Sequence, residues 1–348
     1  MVILQKPETK IVPRKTHLTL PAFLLAATLL LCCCKGTSEY VTIQGMAQGS
    51  TYHVICRLPS NDDNQRTASE IDSILQAVDN SLSGYNKGSL LSRINNGEDL
   101  PLDSLFIECF IRSKKIWEES GGAFDPSAAP LFDLWGFGFG ERSDVKEQDI
   151  DSILQFVGMD LLSLEERQDG THLVRKDNRT RLNFNAIAQG FTCDVVASYL
   201  QQRGCTDYLV EVGREIVCKG LSSRGGKWRI GIDKPEDGNF DEGANLQEII
   251  EVSDCGVVTS GNYRKFYIEN GQKYSHTIDP RTGKPVQHNL LSATIIATDA
   301  TLADAYATWM MVIGPEAARQ MLDSRPDIGA CLIVSNADGS MQSWKKSI

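Results

Sequence analysis

Apolar side chains recur at helical spacing along much of the chain. Ile71, Ile74, Leu75 and Val78 would share one face of a helix from about Arg66 to Asn80. Leu105–Glu119 reads as a second helix, entered near Asp103 and closed by Gly121-Gly122. Ile150, Ile153, Leu154 and Val157 predict a third, stopped by Gly158, and a fourth runs from about Ile187 to Gln202 with Gly204 as its stop. Two more span Leu302–Val312 and Pro315–Leu322. Strand patterns interleave with these. Val41–Gln44 and Thr51–Leu58 come first, and His172–Lys176 with Thr180–Phe184 suggests a hairpin around Asp177-Asn178. The second half is richer in strands: Tyr208–Val212, Glu215–Lys219, Trp228–Asp233, Ile249–Val252, Lys265–Ile268 and Ser292–Ala297. Cys331–Ser335 and Ser340–Trp344 close the chain around the turn pair Asp338-Gly339. Long helices among mostly antiparallel strands predict an α+β fold in a single large domain.

The N-terminus has a different pattern. Residues 1–17 are basic and polar, and Leu18–Leu31 is almost wholly apolar, followed at once by Cys32-Cys33-Cys34. A run of about 14 residues is short for a spanning helix, which needs about 20, and suits the core of a signal peptide. The competing reading is a short anchor that stays uncleaved. Cys34, with Leu31 three residues before it and Lys35-Gly36 after, best fits the acylated cysteine of a bacterial lipoprotein; Cys32 and Cys33 fit less well. The chain then divides into a leader over 1–33, a tether over 34–40 and a folded domain over 41–348. A lipid on Cys34 would hold the protein at a membrane without spanning it, exported to the periplasm or cell exterior.

Charge narrows the partners. Of 45 Asp and Glu and 35 Lys and Arg, the first 33 residues hold one anion and four cations, so the remainder carries −13. A body this acidic is a poor binder of polyanions, which excludes nucleic acid as an expected partner. The seven cysteines after Cys34 are odd in number and irregularly spaced, and no C-x-x-C occurs, which argues against a zinc site and a disulfide framework. Neither Gly136-x-Gly138-x-Gly140 nor Gly220–Lys227 meets the spacing of a nucleotide-binding loop.

Four clusters of small, polar and acidic residues lie between the core elements. They are Gly121–Pro126 with Trp135–Gly138, Asn183–Gly190, Thr259–Tyr263 with His276–Gly283, and Ala303–Thr308. Asp304 and Thr308 are four apart on a helix, so both oxygens project from one face. That pair suits a hard cation such as Mg²⁺, or equally a helix cap beside a back-bonded threonine. A turn rich in Gly and Ala between strand and helix, at Asn183–Gly190, is either a phosphate seat or a tight packing contact.

Taken together and in this order, the clusters closely resemble the ApbE family of FAD:protein FMN transferases, from Met46 to about Gly314. The motifs are Ser83-Gly84-Tyr85, Gly121-Gly122-Ala123-Phe124-Asp125-Pro126, Trp135–Gly138, Thr259-Ser260-Gly261, His276-x-Ile278-Asp279-Pro280-Arg281-Thr282-Gly283 and Ala303-Asp304-x-x-x-Thr308. The resemblance implies an FAD cleft contacted by Met46, Tyr85, Ala123, Phe124, Asp125, Asn183, Gln189 and Ile278. It implies Mg²⁺ held by Asp304, Thr308 and the backbone carbonyl of Ala186. Three positions depart from the commonest pattern. Asn183 stands where the family often has Asp, Gln189 where it often has Lys, and Arg214 in place of the second Gly of a Gly-Gly turn.

The function implied is transfer of FMN from FAD to a Thr or Ser hydroxyl of an exported protein, releasing AMP. Acceptors implied are flavoproteins such as subunits of membrane redox complexes. His276 is the expected base for the incoming hydroxyl, with Asp279 to orient it. The rival readings are a Mg²⁺-dependent FAD pyrophosphatase, in which water replaces the hydroxyl, and a non-catalytic FAD-binding lipoprotein.

Overall fold

The computed structural model describes residues 2–3, 39–60, 62–138, 145–236, 243–262, 266–269 and 272–347. Cys34 and most of the leader and tether lie outside them. Val2–Ile3 forms a two-residue strand, β1. The chain continues in a hairpin of β2 (Tyr40–Ala47) and β3 (Ser50–Arg57), joined by Gln48-Gly49, both left-handed as a two-residue hairpin turn requires. Helix α1 (Asn64–Leu82) starts at Asp63, whose carboxylate accepts the Gln65 N–H at 2.9 Å, and it buries Ile71, Leu75 and Val78 as its periodicity predicts. The short α2 (Leu90–Asn95) precedes α3 (Ser104–Glu119), capped by Asp103 on the Phe106 N–H at 2.8 Å. Then come α4 (Ala129–Leu134), α5 (Glu147–Leu154), and a hairpin of β4 (Leu162–Arg167) and β5 (Gly170–Arg175). Helix α6 (Ala188–Gln202) leads into β6 (Tyr208–Val212), β7 (Glu215–Lys219), β8 (Trp228–Asp233), β9 (Leu246–Val252) and β10 (Cys255–Gly261). The short pairs β11 (Phe266–Glu269) with β12 (Gln272–Ser275), and β13 (Ile278–Asp279) with β14 (Lys284–Pro285), follow. Strand β15 (Leu290–Ala297), helix α7 (Ala300–Asp323), β16 (Gly329–Ser335) and β17 (Met341–Lys346) complete the fold.

Eight strands make one antiparallel sheet in the order β17-β16-β15-β10-β7-β6-β3-β2. Alternation along each strand sends one set of side chains to each face. Tyr52, Val54, Cys56, Val210 and Val212 meet α1 and α6, while Phe191, Val258, Ile295 and Tyr306 build the neighbouring core under α7. Ile55, Leu209, Ile216 and Val257 face the other way, against Trp228 and Ile230 of the small β1-β8-β9 sheet. Helices, large sheet and small sheet therefore stack as three layers, an α+β architecture. No described helix is long and apolar enough to cross a membrane.

Two sequence expectations shift. The expected hairpin of His172–Lys176 with Thr180–Phe184 is instead β4 with β5, paired from Leu162↔Arg175 to Arg167↔Gly170. Thr180–Phe184 is irregular: the Asn95 side chain meets the N–H and C=O of Leu182 at 2.9 and 2.8 Å, and Asn183 N–H donates to Pro126 O at 2.7 Å. Its alternation of apolar residues buries Leu182 and Phe184 without a strand partner there. Strand β10 has no counterpart in the sequence reading, whereas the two helices expected there are found, α7 being broken at Gly314, whose φ is 77°.

Candidate active site

The four clusters meet around the start of α6. Asn183 opens the turn: its Oδ1 accepts the Asn185 N–H at 2.8 Å, and Asn185 Nδ2 reaches Tyr85 Oη at 3.4 Å. The next contact decides the geometry. Gly190 N–H donates to Asp304 Oδ2 at 3.0 Å, rather than to the carbonyl of Ala186 four residues back. Helices α6 and α7 cross so closely here that a Cβ on Gly190 would lie 2.3 Å from Ala300 O. One turn further along α7, Thr308 Oγ1 lies 3.4 Å from Ser260 Oγ, at the end of β10. Asp304 and Thr308 thus meet Gly190 and Ser260, residues from two other segments of the chain.

Two hairpin tips close that corner. Gln48, in the β2–β3 turn, donates to Thr192 Oγ1 at 2.7 Å. Gly213, in the β6–β7 turn, packs on the Gln189 side chain, and a Cβ there would fall 1.9 Å from Gln189 Nε2. Beside the first tip, a cavity of about 480 Å³ lies between Met46–Ser50 and the α1 residues Asp72, Leu75, Gln76 and Asp79. Met46 is 73% exposed and Tyr85 67%, so both present apolar surface to solvent. Ala123, Phe124 and Ile278 differ: all three residues are buried, so the contacts with FAD implied for them would require the surface above them to open.

Electrostatics mark the same corner. Burial pushes the Asp304 carboxyl up to about 7. Burial, then the charge of Asp304, drives the Glu215 carboxyl well above its usual range, and Glu215 Oε2 is buried without a hydrogen-bond partner. Two such buried carboxyl groups, with the Thr308 hydroxyl, form an oxygen-rich setting in which a hard cation would stabilise the ionised forms that burial disfavours. Among the described residues no group of three or more His, Cys, Asp or Glu is placed to hold a metal, so a cation here depends on mixed oxygens. On donor chemistry, these residues fit Mg²⁺.

Asp125 plays another part. It accepts from Ser127 N–H at 2.7 Å, Ser127 Oγ at 2.5 Å and Trp117 Nε1 at 3.0 Å, which fixes the turn after Gly122. Burial raises its carboxyl to about 6. His276, half-buried between β12 and β13, stands edge-on to Phe137 with ring centroids 6.4 Å apart. Asp279, expected to orient His276, accepts from Nε and Nη2 of Arg281 at 2.9 and 2.8 Å. Trp135 Nε1 donates to Gly283 O at 2.8 Å and ties the first cluster to this loop.

One positioning device escaped the sequence reading. Asp194 accepts the N–H groups of Ala300 and Thr301 at 3.0 and 2.8 Å, and Arg112 bridges Asp194 and Asp299. That clasp fixes the first turn of α7, one turn before Asp304. Its only sequence signal is Asp194 lying four residues beyond Gly190.

Comparison with known proteins bears on these groups together. The model of the ApbE family matches residues 48–332. An FAD:protein FMN transferase from Vibrio cholerae is 34% identical over 90% of this chain and 93% of its own length. One from Escherichia coli K12 is 31% identical over 98% and 90%. Among solved structures, the flavin transferase ApbE from Vibrio cholerae superposes with a TM-score of 0.77 at 32% identity, over 89% of this chain and 97% of that one. The apo form of the Pseudomonas stutzeri flavinyl transferase ApbE gives the same score and identity, over 89% and 95%.

Proposed function

The chain belongs to the ApbE family of FAD:protein FMN transferases, and from that membership we propose a Mg²⁺-dependent transfer of FMN from FAD to a Thr or Ser hydroxyl, with release of AMP. The observation that carries this reading is the corner where Gly190, Asp304, Thr308 and Ser260 meet at the first turn of α6. A helix N-terminus offers N–H groups and a positive dipole end to the FAD diphosphate. Asp304, Thr308 and the Ala186 carbonyl would hold Mg²⁺, which when bound offsets charge on the diphosphate and the departing AMP.

The residues of the chain do the positioning. Met46 and Tyr85 cover a ring system, and Asn183 and Gln189 offer amide groups beside the turn. The acceptor oxygen forms a bond to the phosphorus of the FMN half as the bond from that phosphorus to the AMP oxygen breaks. His276 takes the hydroxyl proton, since imidazole titrates near neutral pH. Products are a phosphodiester-linked FMN on the acceptor and free AMP.

Mass spectrometry of a Thr- or Ser-bearing candidate acceptor incubated with the protein, FAD and Mg²⁺ tests the reading. An FMN adduct with AMP supports it. Free FMN with AMP, and no adduct, means hydrolysis; unchanged FAD means a binding protein. The leader pattern supports an exported lipoprotein acylated at Cys34, whose acceptors are exported subunits of membrane redox complexes. Intact-mass analysis of membrane-extracted protein checks this, and recovery of an unlipidated chain beginning at Met1 would sink it.

A further inference from the structure

The cysteines of the described residues are all buried, free thiols. Two of them stand directly opposite one another. Cys218 of β7 and Cys255 of β10 are register partners in the large antiparallel sheet, and both belong to the core it shares with the small sheet, beside Trp228 and Ile230. Opposed positions in such a ladder put their Cα atoms about 4.5–5.5 Å apart, inside the roughly 4.4–6.8 Å that a disulfide spans. Hydrogen bonds hold the register next to the pair. Ser253 Oγ donates to Gly220 O, and Gly220 N–H donates to Asp254 Oδ1 at 3.3 Å. Cys56 and Cys205 share another core, but Cys205 lies outside any strand and no register sets its spacing.

The two opposed thiols are chemically unequal. Hydrogen bonding with the other sulfur is the largest influence on each, and it lowers the Cys255 thiol while raising that of Cys218 well above the ordinary range. The thiolate is the attacking form, so Cys255 is the nucleophile of the pair. It is also the one nearer water: it follows the exposed Asp254 as the first residue of β10, and strand ends open more readily than strand centres. We propose that Cys218 and Cys255 are a redox-active dithiol that takes a small-molecule disulfide, such as glutathione disulfide, as oxidant and closes to a cross-strand disulfide. The Cys255 thiolate attacks one sulfur of glutathione disulfide, the S–S bond breaks, and one glutathione leaves as thiolate and takes a proton from water. Cys218 Sγ then attacks the Cys255 sulfur of the mixed disulfide, passing its proton to the second departing glutathione. Two electrons leave the cysteines, and one glutathione disulfide becomes two glutathiones. The new bond would lock together the two strands that carry Glu215, at the start of β7, and Ser260, near the end of β10.

The reduced full-length protein, held under native conditions in mixtures of glutathione and glutathione disulfide, then acid-quenched and alkylated in denaturant, tests this by peptide mass spectrometry. The expected product is a linked pair of peptides carrying Cys218 and Cys255, with neither cysteine alkylated. Closing a loop of roughly 37 residues should also raise Tm by roughly 3–5 °C over the reduced form, a rise absent in Cys255→Ala. Cys218→Ala removes the resolving thiol and should instead retain glutathione on Cys255. Alkylation of both cysteines at every glutathione ratio would overturn the proposal. So would a link that forms only in urea, or one that forms natively but lowers Tm, because either means that the native register does not accommodate the bond.

Discussion

Gly190→Ala sets two known effects against each other, and their magnitudes predict the sign. In an isolated helix alanine is better than glycine by about 1 kcal/mol, so propensity alone predicts a more stable protein. The crossing of α6 and α7 says otherwise. A Cβ at 190 would lie 2.3 Å from Ala300 O, 2.8 Å from Ala300 C and 2.8 Å from Asp304 Cβ. Two of these are backbone atoms, so no rotamer change relieves them, and the helices must part by about 1 Å to restore van der Waals contact near 3.5 Å. Overpacking of this kind costs about 3 kcal/mol, and stretching the Gly190 hydrogen bond to Asp304 removes about 1 kcal/mol more. Net destabilisation is about 3 kcal/mol, which for a chain of this size lowers Tm by roughly 4–5 °C. Function should suffer in a particular way. Asp304 moves relative to the first turn of α6, so the Mg²⁺ concentration for half-maximal transfer should rise, by roughly tenfold for about 1.4 kcal/mol of lost metal binding. Urea unfolding in EDTA gives the stability term, and a Mg²⁺ titration of FMN transfer gives the functional one. A neutral or stabilised Gly190→Ala with an unchanged Mg²⁺ requirement would refute the reasoning, because propensity would then outweigh the crossing.

Asp304→Ala should abolish Mg²⁺-dependent transfer while the chain still folds, since alanine suits the helix; thermal melts with and without Mg²⁺ should show a ligand-induced rise only in the wild type. His276→Asn should bind FAD about as well as wild type yet lose roughly 10²–10⁴-fold in single-turnover transfer, and a loss of affinity in step with rate would return His276 to a structural role. Asp125, raised by burial to about 6 against an ordinary 3.8, binds more protons folded than unfolded between those values. Its contribution to stability is therefore fullest below about pH 4 and declines by up to about 3 kcal/mol as pH rises through 6. Asp125→Asn should lack that slope, and urea titrations from pH 4 to 7 that show the same decline in both proteins would count against it.

Much of the fold was legible because local pattern and final burial agree. The stripe Ile71, Leu75 and Val78 lies in the core, Asp103 is the N-cap where helix entry is expected, and Tyr208–Val212, Glu215–Lys219 and Trp228–Asp233 are strands with the bounds their alternation predicts. The resemblance to a family was likewise legible, because it rests on short motifs in order. What sequence alone did not determine depends on partners distant in the chain. Thr180–Phe184 alternates like a strand, yet the side chain of Asn95 and the carbonyl of Pro126 take its backbone groups, so no ladder forms there. Cys255–Gly261 hides its strand behind glycine: a Cβ at Gly256 would lie 2.2 Å from the carbonyl carbon of Asp299, and only packing against the start of α7 explains that residue. Asp304 and Thr308 share a helix face by periodicity, a local fact. That Gly190 gives its N–H to Asp304, that Ser260 meets Thr308, and that Glu215 is buried in the same corner are consequences of the crossing of α6, α7 and the sheet. Hydrophobic periodicity fixes which face of an element is buried, whereas the meeting of polar groups is set by which elements cross and how closely, and that is a property of the assembled core.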